Sequence, residues 1–289
     1  MEDGATGGAE MKATFESKVC VVTGAGSGIG RAIAVNLAGK GAALALSDID
    51  EAGLDETLTL VEAQNSNRIR RDVLDVADAV AIEPYAARAR ESLGPAHYLF
   101  NVAGISRIGG FKETPISAFE KVMNVNYWGV VRMTKAFLPQ LLETNGGIVN
   151  ISSVFGLIGV PGQAHYCSSK FAVRGFSEAI ASELEADGVR VTSVHPGGVA
   201  TNIARRAEID ALPAGASSRE DVIERFDKIA ITSPEMAAEI IVTGAARGAR
   251  RVVVGRDARL ISMIQRLFPQ SYPKFVRLLG GDSLKGPVK

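Results

Sequence analysis

Tyr166-Cys167-Ser168-Ser169-Lys170 sets a phenol and an amine four residues apart in a segment, Gln163 to Leu184, whose Ala, Ser and Glu content and apolar spacing suit a helix. The two groups therefore share one helix face. A free phenol, with a pKa near ~10, is a poor base at neutral pH, but a neighbouring ammonium stabilises the phenolate and lowers that value. Tyrosine so placed serves as general acid or base. Near the start of the chain, Thr23-Gly24-Ala25-Gly26-Ser27-Gly28-Ile29-Gly30 follows the apolar run Val19-Cys20-Val21-Val22 and precedes Arg31-Ala32-Ile33-Ala34-Val35-Asn36-Leu37-Ala38, which has helical composition and periodicity. A glycine turn between strand and helix lets backbone approach a pyrophosphate, whose charge the free N–H groups and dipole of the helix start favour. Taken singly, the first motif also has a reading as an exposed helix face and the second as a tight turn. Together they describe proton transfer beside a dinucleotide, the chemistry of an oxidoreductase.

The second strand, Ala42 to Ser47, ends in Asp48. An acid about 20 residues past the glycines can accept hydrogen bonds from the adenosine ribose hydroxyls and would repel a 2′-phosphate. No Lys or Arg stands at Ser27, Ile49 or Asp50 to hold such a phosphate, so NAD is favoured over NADP. An acid here can instead cap the next helix, which Asp50-Glu51 open; Asp48 on the ribose with Asp50 as the cap satisfies both readings.

With these residues in place the chain resembles the short-chain dehydrogenase/reductase family from about Lys18 to Gly255. The glycine run is similar to the family's TGxxxGxG. Asp72-Val73-Leu74-Asp75 resembles its DVTD-like segment, which implies Asp72, with Val73, facing the adenine. Asn101-Val102-Ala103-Gly104 matches NxAG, with Val102 where the family usually has a second Asn. Asn126 sits where the family places the Asn that kinks a helix and holds a relay water, and Ser153, thirteen residues before Tyr166, where it has its catalytic serine. His195-Pro196-Gly197-Gly198-Val199-Ala200-Thr201 is similar to the PGxxxT stretch at the nicotinamide end.

The resemblance implies a catalytic set of Asn126, Ser153, Tyr166 and Lys170. Ser153 would donate to the substrate oxygen, Tyr166 would exchange the proton, Lys170 would bind the nicotinamide ribose and depress the tyrosine pKa, and Asn126 would anchor the water leading to solvent. It implies cofactor contacts from Gly24, Gly26, Ser27, Gly28, Ile29, Gly30, Asp48, Asp72, Val73, Asn101, Ala103, Gly104, Tyr166 and Lys170. Pro196, Gly197, Val199 and Thr201 complete them. Ser153, Phe155, Val160 and Tyr166 are the candidate substrate contacts. Plainer roles exist for several: Ser152 and Ser153 ending a strand, Thr201 capping a helix, His195 as a strand-end histidine, and Cys167 as packing. The family further implies a homodimer or homotetramer.

Composition agrees. With 289 residues, 46% of them hydrophobic, and 32 basic against 32 acidic residues, the chain can bury a large core and offers no global attraction to nucleic acid. Two cysteines, Cys20 and Cys167, suggest neither a disulfide framework nor a metal site. Met1 to Glu10 are acidic and Gly-rich without an apolar core, neither signal peptide nor membrane span, which favours a cytoplasmic protein. Residues 1–14 read as a disordered tail, 15–256 as one Rossmann-type domain and 257–289 as a basic amphipathic extension.

Strands are expected at 18–23, 42–47, 67–71, 97–101, 147–152, 189–194 and 251–254. Helices are expected at 28–39, 51–63, 76–91, near 116–143, at 163–185 and at 234–247. This alternation is that of an α/β, doubly wound parallel sheet of about seven strands with helices on both faces, its ligands at the carboxyl edge.

An irregular substrate lid is expected over about 202–233, where the alternation breaks. Its apolar members and those following Ser153 suit a small apolar secondary alcohol or ketone of sterol, retinoid or fatty-chain type, or else pack the lid on the body. Arg205 and Arg206 could hold a carboxylate or a phosphate-bearing carrier, or stay solvated. From Arg247 to Arg277 there are seven Arg and one Lys against a single acid, Asp257, interleaved with apolar residues. That pattern suits subunit packing, capping of the pocket, or peripheral contact with an acidic membrane. The functional alternatives are an NADPH-dependent 3-oxoacyl reductase, against which Asp48 argues, and a non-catalytic nucleotide-sensing or scaffold protein, against which the intact four-residue set argues.

Overall fold

The computed structural model describes residues 14–64 and 68–280, so the expected disordered tail lies almost wholly outside the described residues, as does the first residue of the third expected strand. Seven strands form one sheet in the order β3-β2-β1-β4-β6-β7-β9, every neighbouring pair parallel. They are β1 Val19–Thr23, β2 Ala43–Asp48, β3 Ile69–Val73, β4 Tyr98–Asn101, β6 Gly147–Ile151, β7 Arg190–Pro196 and β9 Arg251–Val254. The central strands are apolar runs because helices cover them from both sides, whereas edge strand β3 carries Arg70, Arg71 and Asp72.

One face is covered by α1 (Gly28–Gly39), α2 (Glu51–Glu62) and α8 (Pro234–Ala246), whose Leu37, Leu54 and Ile241 share a core with Val22 and Phe100. The other is covered by α3 (Ala79–Leu93), α5 (Gly129–Thr144) and α6 (Ala164–Glu183), with Tyr85, Met133 and Phe137 at its centre. The expected single helix near 116–143 is divided: α4 (Ile116–Met123) passes into a π turn, Asn124–Trp128, before α5 begins. The wider turn carries Asn126, whose fully buried amide brackets Ile105, accepting from its N–H at 2.8 Å and donating to its C=O at 3.0 Å.

The expected irregular lid also holds more order. Glu208–Ile209, β8, pairs with β5 (Arg107–Ile108) in a separate two-stranded sheet, and Arg219–Ile229 form α7, capped by the Ser218 side chain on the Asp221 N–H. Val222, Ala207 and Ile209 pack on Ile108, so part of the lid's apolar content fastens it to the body. Beyond β9 the basic extension folds into α9 (Arg256–Leu267) and α10 (Tyr272–Gly280). None of the described helices is long and apolar enough to cross a membrane.

Polar groups beneath the carboxyl edge form a buried chain: Asn101 Nδ2 donates to Thr134 Oγ1 (3.3 Å) and Asn150 Oδ1 (2.9 Å), and Asn150 Nδ2 to Ser177 Oγ (2.9 Å). This links β4, β6, α5 and α6 where they support the catalytic residues. Replacing Asn150 by Ala removes one of the two acceptors of the Asn101 amide, which keeps Thr134, and the donor to the Ser177 hydroxyl, which still donates to the Val173 carbonyl (2.7 Å), a cost of about 1–3 kcal/mol. Thermal unfolding should show Tm lowered by roughly 2–10 °C; an unchanged Tm would show that the chain is not supporting the fold.

Candidate active site

The glycine turn joins β1 to α1 with backbone that side chains would obstruct. Gly24 (φ +67°) lies so near Ala103 that a Cβ would approach its backbone to 2.8 Å, and Gly28 (φ +52°) lies under the Thr201 methyl. A Cβ on Gly30 would collide with the Gly24 carbonyl. Ser27 stands at the N-cap of α1 but makes no capping hydrogen bond, and no acid occupies the first turn, so the helix start keeps its N–H groups for an external anion. Ile29 packs its side chain on the core. Thr23 Oγ1 accepts from the N–H groups of Val102 and Ala103 (3.0 and 3.1 Å), fixing the neighbouring loop.

Asp48 ends β2 beside this turn. One carboxylate oxygen accepts from Gly26 N–H (2.8 Å) and the other from Asp50 N–H (3.0 Å), while Asp50 caps α2 through Gly53 N–H. Arg206 reaches from the lid to Asp50 (2.7 Å), and Arg205 pairs with Asp227 (2.6 Å), so both lid arginines are spent on acids of the chain itself rather than held for a carboxylate or phosphate ligand. Arg31 is likewise committed, to Glu56 and the Gly26 carbonyl. At the end of β3, Asp72 is gripped by Arg70 (2.7 Å) and Arg88 (3.3 Å), leaving Val73 exposed at the rim.

On the other side of the edge lie Ser153, Tyr166 and Lys170. Lys170 is buried and its Nζ donates to the Ile151 carbonyl (2.9 Å), standing 5.6 Å from the centroid of the Tyr166 ring. Gly104 is bare against it, since a Cβ there would lie 3.4 Å from Lys170 Nζ and 3.1 Å from Asn126 Oδ1. Asn126 also donates to Ser169 Oγ (3.0 Å), on the catalytic helix. Burial lowers the Lys170 amine to about 8. Burial likewise raises the Tyr166 phenol to about 12, against the pull of a hydrogen bond with Ser153. The expected depression of the phenol is thus not what this arrangement gives: desolvation outweighs it, and the amine is tied to a carbonyl.

Ser153 Oγ accepts from Phe155 N–H (3.1 Å), capping the short 3-10 turn Val154–Gly156, and Phe155 meets the Tyr166 ring edge-on at 6.2 Å. Val160 lies in the cluster on which Phe155 also packs. It is buried with Ile158, Cys167 and Val276 under the C-terminal helices, an apolar setting that pushes the Cys167 thiol up and keeps it as packing.

A glycine cradle, an acid at the end of β2 and a Ser–Tyr–Lys cluster thus share one sheet edge, and the family model for short chain dehydrogenases matches residues 18–211. The chain belongs to the short-chain dehydrogenase/reductase family. It is an NAD(P)-dependent oxidoreductase acting on CH–OH groups. Among its relatives is SadH of Mycobacterium tuberculosis, an oxidoreductase by name, 45% identical over 267 residues that span 91% of this chain and 95% of SadH. A crystal structure of a short-chain dehydrogenase/reductase from Burkholderia phymatum in complex with NAD superposes with a TM-score of 0.79 at 26% identity, covering 95% of this chain and 99% of that one. A Mycobacterium paratuberculosis short chain dehydrogenase bound to NAD gives a TM-score of 0.74 at 28% identity, over 86% and 99% of the two chains.

Three supports of this dehydrogenase's site were not given that role by the sequence. Asp257, the lone acid of the basic tail, accepts from Gly198 N–H (2.7 Å) and pins the Pro196–Thr201 stretch; its solitary charge was the available signal. Val199 is held alongside by a parallel bridge to Thr232, and a Cβ on Gly197 would strike Asp257. Phe111 and Phe119 form an aromatic flank leading to His165, next to Tyr166.

The third is His195, fully buried and lowered by desolvation to about 4, hence neutral at physiological pH. The Ser153 carbonyl, 3.2 Å from Nδ1, can only accept, so Nδ1 carries the proton and Nε2 accepts from the Ser193 hydroxyl at 3.1 Å. His195 therefore positions the backbone of Ser153. His195→Ala should lower kcat about tenfold, the worth of one buried hydrogen bond, without weakening NADH binding. Steady-state kinetics with kcat within twofold of the native value would remove that role.

Proposed function

We propose that this dehydrogenase interconverts an apolar secondary alcohol and its ketone with NAD(H), Tyr166 exchanging the proton. The observation that carries the reading is the buried Lys170 amine under the Tyr166 ring, one helical turn along the same face and beside Ser153.

The residues present fit a dinucleotide. The bare glycine turn and uncapped start of α1 suit its pyrophosphate, Asp48 the adenosine ribose, Asp72, Val73 and Asn101 to Gly104 the walls between, and Pro196 to Thr201 the nicotinamide end. When bound, the nicotinamide supplies the acceptance or donation of hydride. NAD is favoured because Asp48 adds negative charge where a 2′-phosphate would lie, while the nearby Arg31 and Arg206 are both neutralised by acids of the chain.

Ser153 donates a hydrogen bond to the substrate oxygen and Tyr166 holds the proton that moves. In ketone reduction the phenol is the acid, protonated at every working pH since burial raises it; in alcohol oxidation the phenolate is the base. Lys170 in its ammonium form stabilises that phenolate and binds the nicotinamide ribose. Asn126, locked to Ile105 and Ser169, fixes the π turn behind them and anchors the path by which the proton reaches solvent. Phe155 beside Tyr166, with Phe111 and Phe119 beyond, supports an apolar substrate.

The test is Tyr166→Phe, measured for oxidation of a panel of apolar secondary alcohols with NAD and for NADH and NADPH binding by fluorescence. Turnover should fall by about 10²–10⁴-fold, with NADH binding kept and tighter than NADPH binding. Retention of more than a tenth of native turnover would remove Tyr166 from its role, and tighter NADPH binding would overturn the cofactor choice.

A further inference from the structure

The basic extension has two faces with different fates. Inward, Ala258 and Val276 are buried, Ile261 and Tyr272 pack on the Ile158–Cys167 cluster, and the Tyr272 hydroxyl accepts from Gly159 N–H at 3.0 Å. On this side the segment covers the strand-to-helix loop that follows Ser153.

Outward, Leu260, Met263 and Leu267 stand at helical spacing on α9, with Met263 55% and Leu267 64% exposed. Phe268 and Phe275, their rings 5.1 Å apart, carry the apolar stripe across the turn into α10. Arg259 and Arg266, seven residues apart, edge the stripe on one side, and Arg256 and Lys274 stand exposed near its two ends. Among the described residues none of these four cations forms an ion pair, although Arg205, Arg206 and Arg250 each face a carboxylate.

We propose that the outer face of α9 and α10 seats on an anionic lipid bilayer, with the apolar stripe at the boundary of headgroup and acyl chain and the cations on lipid phosphates. A helix with an apolar face bordered by arginines lies in such an interface, and each cation near an anionic surface adds about fivefold to binding. A contact with a second copy fits less well, because it brings two sets of unpaired cations together, a like-charge cost that an anionic bilayer does not carry. The surface is independent of the catalytic reading.

Sedimentation of the full chain with vesicles of phosphatidylglycerol and phosphatidylcholine tests it, with phosphatidylcholine alone as the comparison. Binding is expected to the anionic vesicles only and to weaken with salt. It should fall about 25-fold in Arg259→Gln/Arg266→Gln and disappear in Met263→Asp/Leu267→Asp, with NADH binding as evidence that both variants fold. Native protein left in solution at low salt, or binding unchanged in both variants, overturns the proposal. So does a native chain that ignores vesicles but whose oligomer, by light scattering, dissociates in Met263→Asp/Leu267→Asp, since the face is then a subunit contact.

Discussion

Lys170 is an amine in the interior that pairs with no carboxylate among the described residues, and the rest of the site is arranged to accommodate it. The Ile151 carbonyl accepts a hydrogen bond from its Nζ. Two glycines make room: Gly104 in front of Nζ, and Gly156, where a Cβ would collide with both Ser152 Oγ and the Lys170 carbonyl that Ser152 caps at 2.8 Å. The π turn that brings Asn126 against Ser169 secures the same helix from behind. Burial penalises the charged form of amine and phenol alike, so the proton rests on Tyr166 while Lys170 titrates close to neutrality.

Around this centre the structure spends its other charges on position. Asp48 steadies the glycine turn through Gly26, Asp50 and Arg206 bind the lid to the turn after β2, and Arg107 ties the lid to the loop after β4 through Asp210 at 2.6 Å. Asp257 fastens the base of the lid from the opposite end of the chain. These contacts, each an acid held by an arginine or a backbone amide, join the β5–β8 pairing and the packing on Ile108 in anchoring the lid around the cofactor edge.

What the sequence made legible was local or repetitive: the apolar strands, the bare glycine turn, and the four-residue spacing of Tyr166 and Lys170 on one helix. The resemblance to the family then supplied Asn126 and Ser153, which spacing alone does not mark. The rest depended on contacts between distant segments. The π turn is the kink that the resemblance implied at Asn126, but no local pattern marks it, since it follows from Asn126 reaching Ile105; α7 was hidden because Ile223, Phe226 and Ile229 were read as lid wall although their spacing is helical. His195 does end β7, but its positioning role was hidden because the partner that defines it, the Ser153 carbonyl beyond β6, meets it only in the fold. The phenol was expected to be depressed by the amine because burial, the larger effect, has no sequence signature.

The pH dependence of kcat/KM for ketone reduction tests the central claim most directly. Tyr166 stays protonated across the range, and the Lys170 ammonium, present below about 8, is lost as pH rises through that value. The rate should be level on the acid side and decline above about 8. A profile level to pH ~10, beyond the buried amine's value and near that of an ordinary lysine, would contradict the account, showing that the charge on Lys170 takes no part in proton transfer.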